Sequence, residues 1–341
     1  MKTSEIIDYL KSNDAATVEA LIAEADRVRK LYMGDGILLR GIVEFSSFCK
    51  NTCAYCGLNK TNTRLERFRL TKEQILESVG RIAAARIKTV VLQSGEDDEI
   101  SAGWLKDVIE TIKCRFDMAI TLSVGERSRD DYQLWKDAGA DRYLLKIETT
   151  NPQLYADLHP AMDFNNRIRC LDDLRSCGYQ VGCGAIIGLK NQTVEDIAGD
   201  ISFFAENNFD MIGIGPFIPH AATVLGAEQR GSVEMTIKAV ALTRMVTRTA
   251  HLPATTALGS VGKKDFRVDA LKAGANVLMP NFTPIEYKKR YEIYPGKRCI
   301  DEASEHCVGC MAVLASSIGR HIDYSRGDAM QMVKSGDDVL A

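Results

Sequence analysis

The sequence has 341 residues, of which 45% are hydrophobic and 26% charged, and its formal net charge is −3. This balance is typical of a globular protein with a sizeable core, and it argues against intrinsic disorder and against a dedicated nucleic-acid binder. No apolar run reaches the ~18–20 residues that a membrane helix needs, and the N-terminal residues lack the apolar core of a secretory signal. We therefore expect a cytoplasmic protein with neither a nucleic-acid nor a membrane partner.

After a helical pattern over residues 1–34, the chain repeats one unit: a short apolar run, a polar or glycine-containing turn, and an amphipathic helix. The apolar runs are continuous rather than alternating, as expected for strands that are buried on both faces. The predicted strands are 36–46, 89–95, 118–125, 142–149, 180–189, 210–219, 252–260 and 276–284. The predicted helices are 71–87, 101–116, 130–140, 165–177, 193–208, 233–250, 265–273 and, in the tail, 311–318.

Eight strand–helix units predict an α/β fold of the closed (βα)8 barrel type. An open doubly wound sheet is the alternative, and the lack of a Gly-x-Gly-x-x-Gly turn after an early strand disfavours it. No linker divides the chain, so we expect one domain over residues 1–341. Its parts are an N-terminal helical cap (1–34), the barrel (35–290) and a C-terminal extension (291–341) that carries a second group of cysteines.

Cys49, Cys53 and Cys56 lie on one short loop directly after the first predicted strand. Cytosolic thiols stay reduced, so three of them at this spacing indicate metal binding rather than a disulfide. A structural zinc site needs four ligands, whereas a 4Fe–4S cluster with three cysteines keeps one iron open to another ligand. The spacing therefore favours an iron–sulfur cluster with an open iron. A zinc-stabilised barrel hydrolase and a non-catalytic iron–sulfur carrier are the alternatives.

Polar residues follow the predicted strands at their carboxyl ends, where a parallel barrel builds its active site. They are Gln93, Ser94 and Glu96 after the second strand, Ser123 after the third, and Lys146 and Glu148 at the fourth. Lys146 and Glu148 are two residues apart on one strand and so face the same side. Of the histidines, His220 is predicted at this rim, and His159, His251 and His321 on the surface.

The three-cysteine loop resembles that of the radical S-adenosylmethionine (SAM) superfamily. Segments 44–58, 91–97, 141–145, 165–167, 213–220, 253–257 and 279–284 further resemble the HydE family of iron–iron hydrogenase maturases, over about residues 35–312. The resemblance implies a 4Fe–4S cluster whose open iron binds SAM. It also implies reductive cleavage of SAM to a 5′-deoxyadenosyl radical that acts on a small molecule in the barrel, during assembly of the hydrogenase diiron subcluster. The implied partners are that small-molecule substrate, a one-electron donor and other hydrogenase maturases.

Residue roles follow from the resemblance one position at a time. Ser94-Gly95-Glu96 matches the turn that meets the SAM amino group, Glu148 matches the carboxylate that binds the ribose, Arg167 matches the partner of the SAM carboxylate, and Tyr55 lies where it would pack near the adenine. Thr255 and Thr256 match an anion site deep in the barrel, although strand propensity alone also explains two threonines. The candidate cofactor-binding residues are Tyr55, Gln93, Ser94, Glu96, Ser123, Lys146, Glu148 and Arg167; the candidate substrate residues are Thr255, Thr256, Met279, Tyr287 and Tyr291.

One segment departs from the family pattern. The maturases have Arg-His-Glu at the fourth strand, and this chain has Lys146-Ile147-Glu148. A lysine cannot reproduce the planar, bidentate hydrogen bonding of an arginine. A paralogue that uses the same radical on a different small molecule is therefore the alternative to a maturase.

A second group of cysteines lies in the C-terminal extension: Cys299, Cys307 and Cys310. It resembles an accessory cluster site of the same family, and His306 is a further potential ligand. A 2Fe–2S cluster, a 4Fe–4S cluster, zinc or an empty site are all compatible with three cysteines.

Overall fold

Six parallel strands, each joined to the next by a helical crossover, form the main sheet in the order β2 to β7. The structure is a computed structural model and describes residues 1–330. Apolar, β-branched runs such as Thr-Val-Val-Leu in β3 form strands because both faces of the sheet are covered. The strands are β1 Gly36–Leu39, β2 Gly41–Ser46, β3 Thr89–Ser94, β4 Ala119–Ser123, β5 Arg142–Leu144, β6 Gln180–Ile187, β7 Met211–Pro216, β8 Val277–Leu278 and β9 His321–Asp323.

The sheet closes into a ring through the segments that follow β7. The carbonyl of His251 accepts a hydrogen bond from the amide of Ile212 (3.0 Å), and the amide of Ala254 donates to the carbonyl of Val277 (2.9 Å). Strand β8 pairs with β1, and Asn281 forms a bridge with Ile42 at the start of β2. The ring of eight segments is therefore continuous, and the predicted barrel is confirmed.

Four predicted strands differ from the structure, and two of them, 142–149 and 276–284, end early, at Leu144 and Leu278. The strand predicted over 252–260 is wrong: only Pro253 forms a bridge there, and Thr256 begins a short helix. Proline has no amide hydrogen for a ladder, so pairing stops early. The strand predicted over 36–46 divides at Arg40, because β1 lies between β8 and β9 whereas β2 pairs with β3.

Side-chain caps mark the beginnings of most crossover helices. Thr71 and Gln74 form a capping box at α3, and such a cap contributes about 1 kcal/mol. Helix α6 was not expected from the sequence, although an Asn-Pro pair begins it. The helices are α1 Thr3–Lys11, α2 Ala15–Met33, α3 Lys72–Ala84, α4 Ala102–Arg115, α5 Arg129–Asp137, α6 Pro152–Leu158, α7 Phe164–Ser176, α8 Val194–Glu206, α9 Val233–Thr247, α10 Thr256–Ser260, α11 Arg267–Lys272, α12 Ile285–Lys288 and α13 Ser304–Ser317.

The register of the strands brings polar side chains to one level at the carboxyl end of the barrel. Glu44 of β2 is paired with Gln93 of β3, which is paired with Ser123 of β4. Two residues earlier, the same strands place Ile42, Val91 and Thr121 side by side. The polar level therefore lies above a mostly apolar one, and it positions the candidate site.

The C-terminal segment covers the opposite, amino end of the barrel. Strand β9 pairs with β1, and the fully buried guanidinium of Arg142 donates to the carbonyl of Arg326 (2.9 Å) and to Asp328 (2.7 Å). His251 is buried and contacts the carbonyl of Asp328 (3.3 Å), so its predicted surface position is wrong. A local sequence pattern cannot reveal this burial, because the covering segment lies 77 residues away. Within residues 1–330, no helix is both long and apolar enough to cross a membrane.

A buried carboxylate fixes the loop that follows β5. Asp200 of α8 accepts hydrogen bonds from the amide (2.6 Å) and the hydroxyl (2.7 Å) of Thr150. Its second oxygen is buried and has no hydrogen-bond partner among residues 1–330. Burial raises the pKa of Asp200 to about 7. Because Thr150 lies two residues after Glu148, this contact also positions a candidate site residue.

The folded protein keeps the proton on Asp200 to a higher pH than the unfolded chain, so the free energy of unfolding should decrease as the pH rises from 3.8 to about 7. We expect Asp200→Asn to remove this loss and to raise the free energy of unfolding at pH 8 by about 2 kcal/mol, with little effect at pH 4. Urea unfolding at both pH values measures this, with the exposed Asp8→Asn as control. An unchanged pH dependence in Asp200→Asn would contradict the prediction.

Candidate functional site

The loop that carries Cys49, Cys53 and Cys56 follows β2 at the carboxyl end of the barrel. Three backbone hydrogen bonds attach it to different parts of the chain. Lys50 donates to the carbonyl of Glu96 (2.9 Å), Ala54 to Leu158 (2.8 Å) and Gly57 to Ile293 (2.9 Å). The loop is therefore held by the end of β3, by α6 and by the C-terminal extension.

Two glycines allow the loops around the cysteines to pack backbone against backbone. A Cβ on Gly95 would lie 2.2 Å from the carbonyl oxygen of Phe48 and 2.8 Å from the Cβ of Cys49. Gly125 has a positive φ of 79°, and a Cβ there would lie 1.9 Å from the Cγ of Glu96. Neither position has room for a side chain, which explains the glycine in each strand-end turn.

The three thiols lie close enough to influence one another's ionisation. Burial, and then the negative charge of the neighbouring thiolates, raises the pKa of Cys53, and burial raises the pKa of Cys56 to about 12. Three adjacent thiolates are therefore unfavourable unless a cationic centre holds them. This set of soft sulfur ligands on one bend fits an iron–sulfur cluster with an open iron.

The side chain of Arg67 binds backbone carbonyls at both ends of the cysteine loop. Its guanidinium donates to the carbonyls of Ser47 (2.5 Å), Leu58 (2.9 Å) and Asn59 (2.7 Å), which lie on both sides of the three cysteines. Five donors in a rigid fork suit such a cluster of carbonyls. Arg67 is also near enough to Cys49 to lower the pKa of that thiol, although burial outweighs it.

Beside the loop, Glu96, Glu126 and Arg167 form a charged group. The side chain of Arg167 is buried, with a relative exposure of 6%, and its Nε donates to Glu126 (2.7 Å). Glu96 accepts from the amide of Glu126 (3.0 Å), and burial raises the pKa of Glu96. The Nη2 atom of Arg167 has only the sulfur of Met162, at 3.9 Å, as a hydrogen-bond partner among residues 1–330. A cleft of about 560 Å³ is lined by Glu96, Glu126 and Met162, the neighbours of Arg167, whereas Arg167 itself lies behind them.

Lys146 and Glu148 form an ion pair inside the barrel. The Nζ of Lys146 lies 2.8 Å from Glu148, and a Cβ on Gly184 would lie 2.8 Å from the Cε of Lys146. The glycine therefore leaves space for the lysine stem. Glu148 has a positive φ of 64°, which costs about 1–3 kcal/mol and is typical of functional sites. The structure brings these two candidates together, although the predicted strand position is wrong, because β5 ends at Leu144 before either residue.

Tyr55 contacts a histidine that sequence analysis assigned to the surface. The hydroxyl of Tyr55 lies 3.1 Å from Nε2 of His159, and Nδ1 of His159 lies 3.0 Å from the carbonyl of Tyr155. His159 has a relative exposure of 2%, and burial lowers its pKa to about 3. The surface assignment is therefore wrong, and the neutral ring orients Tyr55 within the cysteine loop.

A strap of residues 291–298 crosses the mouth of the barrel. The hydroxyl of Tyr291 accepts from Gln93 (3.1 Å), and Lys297 forms an ion pair with the buried Glu44. Glu44 also accepts from Asn281 (2.9 Å). The strap therefore supplies a cation to the polar level of the barrel.

The candidate substrate residues separate into two groups. Thr255 donates to the carbonyl of Ile214 (3.3 Å), and Thr256 lies near enough to Tyr294 on the strap to lower the pKa of that phenol, although burial outweighs it. Met279 is half-buried just before Asn281. Tyr287, in contrast, packs on Phe68 and bonds to Gln74 of α3, and no described contact joins it to the two threonines.

Two of the three cysteines of the second group lie close together. The ligand atoms of Cys299, Glu302 and Cys307 all lie within 4.8 Å of one another. Cys310 and His306 are exposed on α13, outside this group. Glu302 was not among the predicted ligands, because nothing in the local sequence distinguishes a metal-binding carboxylate from the other acidic residues of a polar tail.

Three further residues of the site had no predicted role. Glu126 follows Gly125 at the end of β4, so the strand-end rule does place it at the rim, without a function. Glu44 is a charged residue in an apolar strand, which is itself a signal of function or pairing. Lys297 lies in a polar segment and has no such signal.

Comparison with known proteins gives a consistent result. Residues 43–204 match the Radical SAM superfamily. The chain is 43% identical over 319 residues to the FeFe hydrogenase maturase subunit HydE of Thermotoga maritima, covering 93% of this chain and 91% of that one. It is 26% identical over 280 residues to 3-methylornithine synthase of Methanosarcina acetivorans, covering 81% of this chain and 79% of the relative.

The solved structure of methylornithine synthase (PylB) has a similar fold. It superposes with a TM-score of 0.82 at 23% identity and covers 94% of each chain.

Replacement of one loop thiol should abolish iron binding at the first site. In protein that also carries Cys299→Ser and Cys307→Ser, we expect Cys53→Ser to lose most of the bound iron and the visible absorption, because two thiolates cannot hold the cluster. Iron analysis after anaerobic reconstitution measures this. Cys114→Ser, at an exposed cysteine of α4, is the matched control and should keep its iron. Full iron content in Cys53→Ser would be incompatible with the predicted ligand set.

Proposed function

The chain belongs to the radical SAM superfamily and to its HydE family, and from this membership we infer that it acts in the maturation of an iron–iron hydrogenase. It is a radical SAM enzyme, with a 4Fe–4S cluster and SAM as its cofactors. The observation that carries the proposal is the 43% identity to a HydE protein over 93% of the chain. The convergence of Glu96, Arg167 and Glu148 on the three-cysteine loop supports it.

Cys49, Cys53 and Cys56 would hold the cluster, and the open iron would bind the amino and carboxylate groups of SAM. When bound and reduced by one electron, the cluster supplies the cleavage of SAM that produces a 5′-deoxyadenosyl radical. The surrounding residues bind and orient SAM and exclude water. The half-buried rings of Phe48 and Tyr55 flank the cysteines on the loop.

We assign the SAM contacts to residues of different loops. Arg167 would pair with the SAM carboxylate through Nη2 while its Nε keeps the ion pair with Glu126. Glu148 would accept the ribose hydroxyls, with Lys146 holding its carboxylate in place. Glu96 and the Ser94-Gly95 turn would meet the amino group, and Tyr55 would lie near the adenine. Gln93 and Ser123 complete the set at the polar level of the barrel.

The substrate would lie below SAM, within the barrel. Thr255, Thr256 and Met279 would contact it from the barrel and Tyr291 from the strap, whereas the contacts of Tyr287 favour a supporting role outside the site. A one-electron donor and other maturases would be the partners. A non-catalytic iron–sulfur carrier is less well supported, because it would need neither the buried Arg167 nor the strained Glu148.

The second cysteine group would hold an accessory metal centre through Cys299 and Cys307, with Glu302 as a third ligand. Cys310 lies in the middle of α13 and would join this centre only if the first turns of that helix changed conformation. The contacts of β9 and of residues 326–328 with the barrel support a single domain.

The radical SAM activity has a direct test. Cluster-loaded protein with dithionite and SAM should release 5′-deoxyadenosine. We expect Glu148→Ala to weaken SAM binding by about tenfold to a hundredfold, since it removes charge-assisted hydrogen bonds of about 1.5–3 kcal/mol. Equilibrium binding of SAM and quantification of 5′-deoxyadenosine measure these effects.

The control is Glu110→Ala, at a solvent-exposed carboxylate of α4 that pairs with Lys106. It should leave SAM binding unchanged. Iron content must be equal in all samples. Loaded protein that releases no 5′-deoxyadenosine, or Glu148→Ala protein with unchanged SAM affinity, would overturn the corresponding assignment.

The alternative is a paralogue that acts on a different small molecule, and the Lys146-Ile147 segment favours it. We expect the chain to activate an apo-hydrogenase in an assay with the remaining maturases. Lys146→Arg/Ile147→His restores the family residues and should change that activity less than threefold. An inactive wild type beside an active double variant would instead identify a paralogue, because the planar guanidinium would then be needed for the maturase substrate.

A further inference from the structure

A basic surface lies directly against the cysteine loop. Residues 57–64 fold back onto it: the amide of Lys60 donates to the carbonyl of Asn51 (2.8 Å), between Cys49 and Cys53. The side chain of Asn59 donates to the carbonyl of Cys56 (2.7 Å). Lys60 and Arg64 are exposed, and Arg67 lies at the base of the same segment. We call Lys60, Arg64 and Arg67 the basic face.

The acidic residues of the neighbouring surface contact other partners. Asp98 pairs with Lys50 (3.0 Å), Glu99 shares Arg69 (2.8 Å) with Asp97, Glu66 pairs with Arg290 (3.0 Å), and Glu292 lies 3.5 Å from His220. Across residues 1–330, no carboxylate lies within ion-pair distance of any of the three cations of the basic face. The positive charges of the basic face are therefore not neutralised by direct contact with a described carboxylate.

Arg67 connects the exposed part of the basic face to the buried thiols. Its charge acts on both Cys49 and Cys56, and its guanidinium bonds only to backbone carbonyls. The basic face is therefore the surface of segment 57–67, whose backbone contacts the cysteine loop directly. A protein that docks there would approach the cluster through a few residues.

We propose that the basic face is the docking site of an acidic one-electron carrier protein, of the ferredoxin class, that reduces the cluster. This inference rests on the proposed function, which requires one electron for each cleavage of SAM. One electron passes from the reduced carrier to the cluster held by Cys49, Cys53 and Cys56. The carrier leaves oxidised by one electron, and no atom is exchanged. Opposite charges on the two surfaces accelerate encounter and orient the complex.

The test compares a protein reductant with a small one. Lys60→Glu/Arg64→Glu reverses two exposed charges that bear no catalytic role. With reduced ferredoxin as donor, we expect formation of 5′-deoxyadenosine to fall at least tenfold, and the wild-type rate to fall with added salt. With dithionite, which needs no docking surface, both proteins should have equal rates. Failure of both donors in the wild type would refute the proposed function rather than the docking site.

Binding gives a readout that is independent of activity. Calorimetric titration of ferredoxin into cluster-free and cluster-loaded protein should give a dissociation constant at least tenfold weaker for Lys60→Glu/Arg64→Glu. The matched control is Arg86→Glu/Lys272→Glu, which makes the same change in charge at exposed residues near the amino end of the barrel. It should behave as the wild type does.

Three results would overturn the proposal. The first is equal ferredoxin affinity and rate in the wild type and in Lys60→Glu/Arg64→Glu. The second is an equal loss in the control variant, which would indicate a general effect of net charge. The third is wild-type protein that dithionite reduces and ferredoxin does not, or that binds a single-stranded oligonucleotide in place of ferredoxin.

Discussion

The direct packing of the Gly95 turn against the cysteine loop is the constraint on which the upper end of the barrel depends. A Cβ at this position would lie 2.2 Å from the carbonyl of Phe48, so only glycine lets the end of β3 touch the loop that follows β2. Gly125 repeats this relation one strand further on, against the side chain of Glu96. The three thiols and the first polar residues of the rim thus occupy one small volume, because the side chains that would separate them are absent.

Buried ion pairs then orient the charged residues within that volume. Arg167 pairs with Glu126, Lys146 with Glu148, and Lys297 with Glu44. A buried pair contributes little net stability, but removing one partner leaves an unpaired buried charge, which is strongly unfavourable. Each pair therefore holds its geometry. The partners of two of the three pairs come from segments far apart in the chain, so these pairs also join distant loops at the rim of the barrel.

The two ends of the barrel serve different purposes. At the amino end, residues 326–328 cover Arg142 and His251, and nearby arginines donate mainly to backbone carbonyls, which satisfies buried polar groups. At the carboxyl end, the strap of residues 291–298 joins the cysteine loop, Glu44 and the second cysteine group within a few residues. The C-terminal extension therefore stabilises one end and shapes the site at the other.

The sequence by itself determined the barrel and the three-cysteine loop, because strand patterning and ligand spacing are local properties of the chain, and its resemblance to known proteins identified the family. The contact between Lys146 and Glu148 agrees with the sequence prediction, but alternation along one strand was the wrong reason for it, because both residues lie beyond the end of β5 and Glu148 has a positive φ. Only the tertiary structure decided that His159 and His251 are buried, that Glu302 rather than Cys310 lies beside Cys299 and Cys307, and that Lys297 reaches Glu44. These contacts join segments far apart in the chain or depend on how the tail folds over the barrel, and no local pattern records which distant segment will cover a residue.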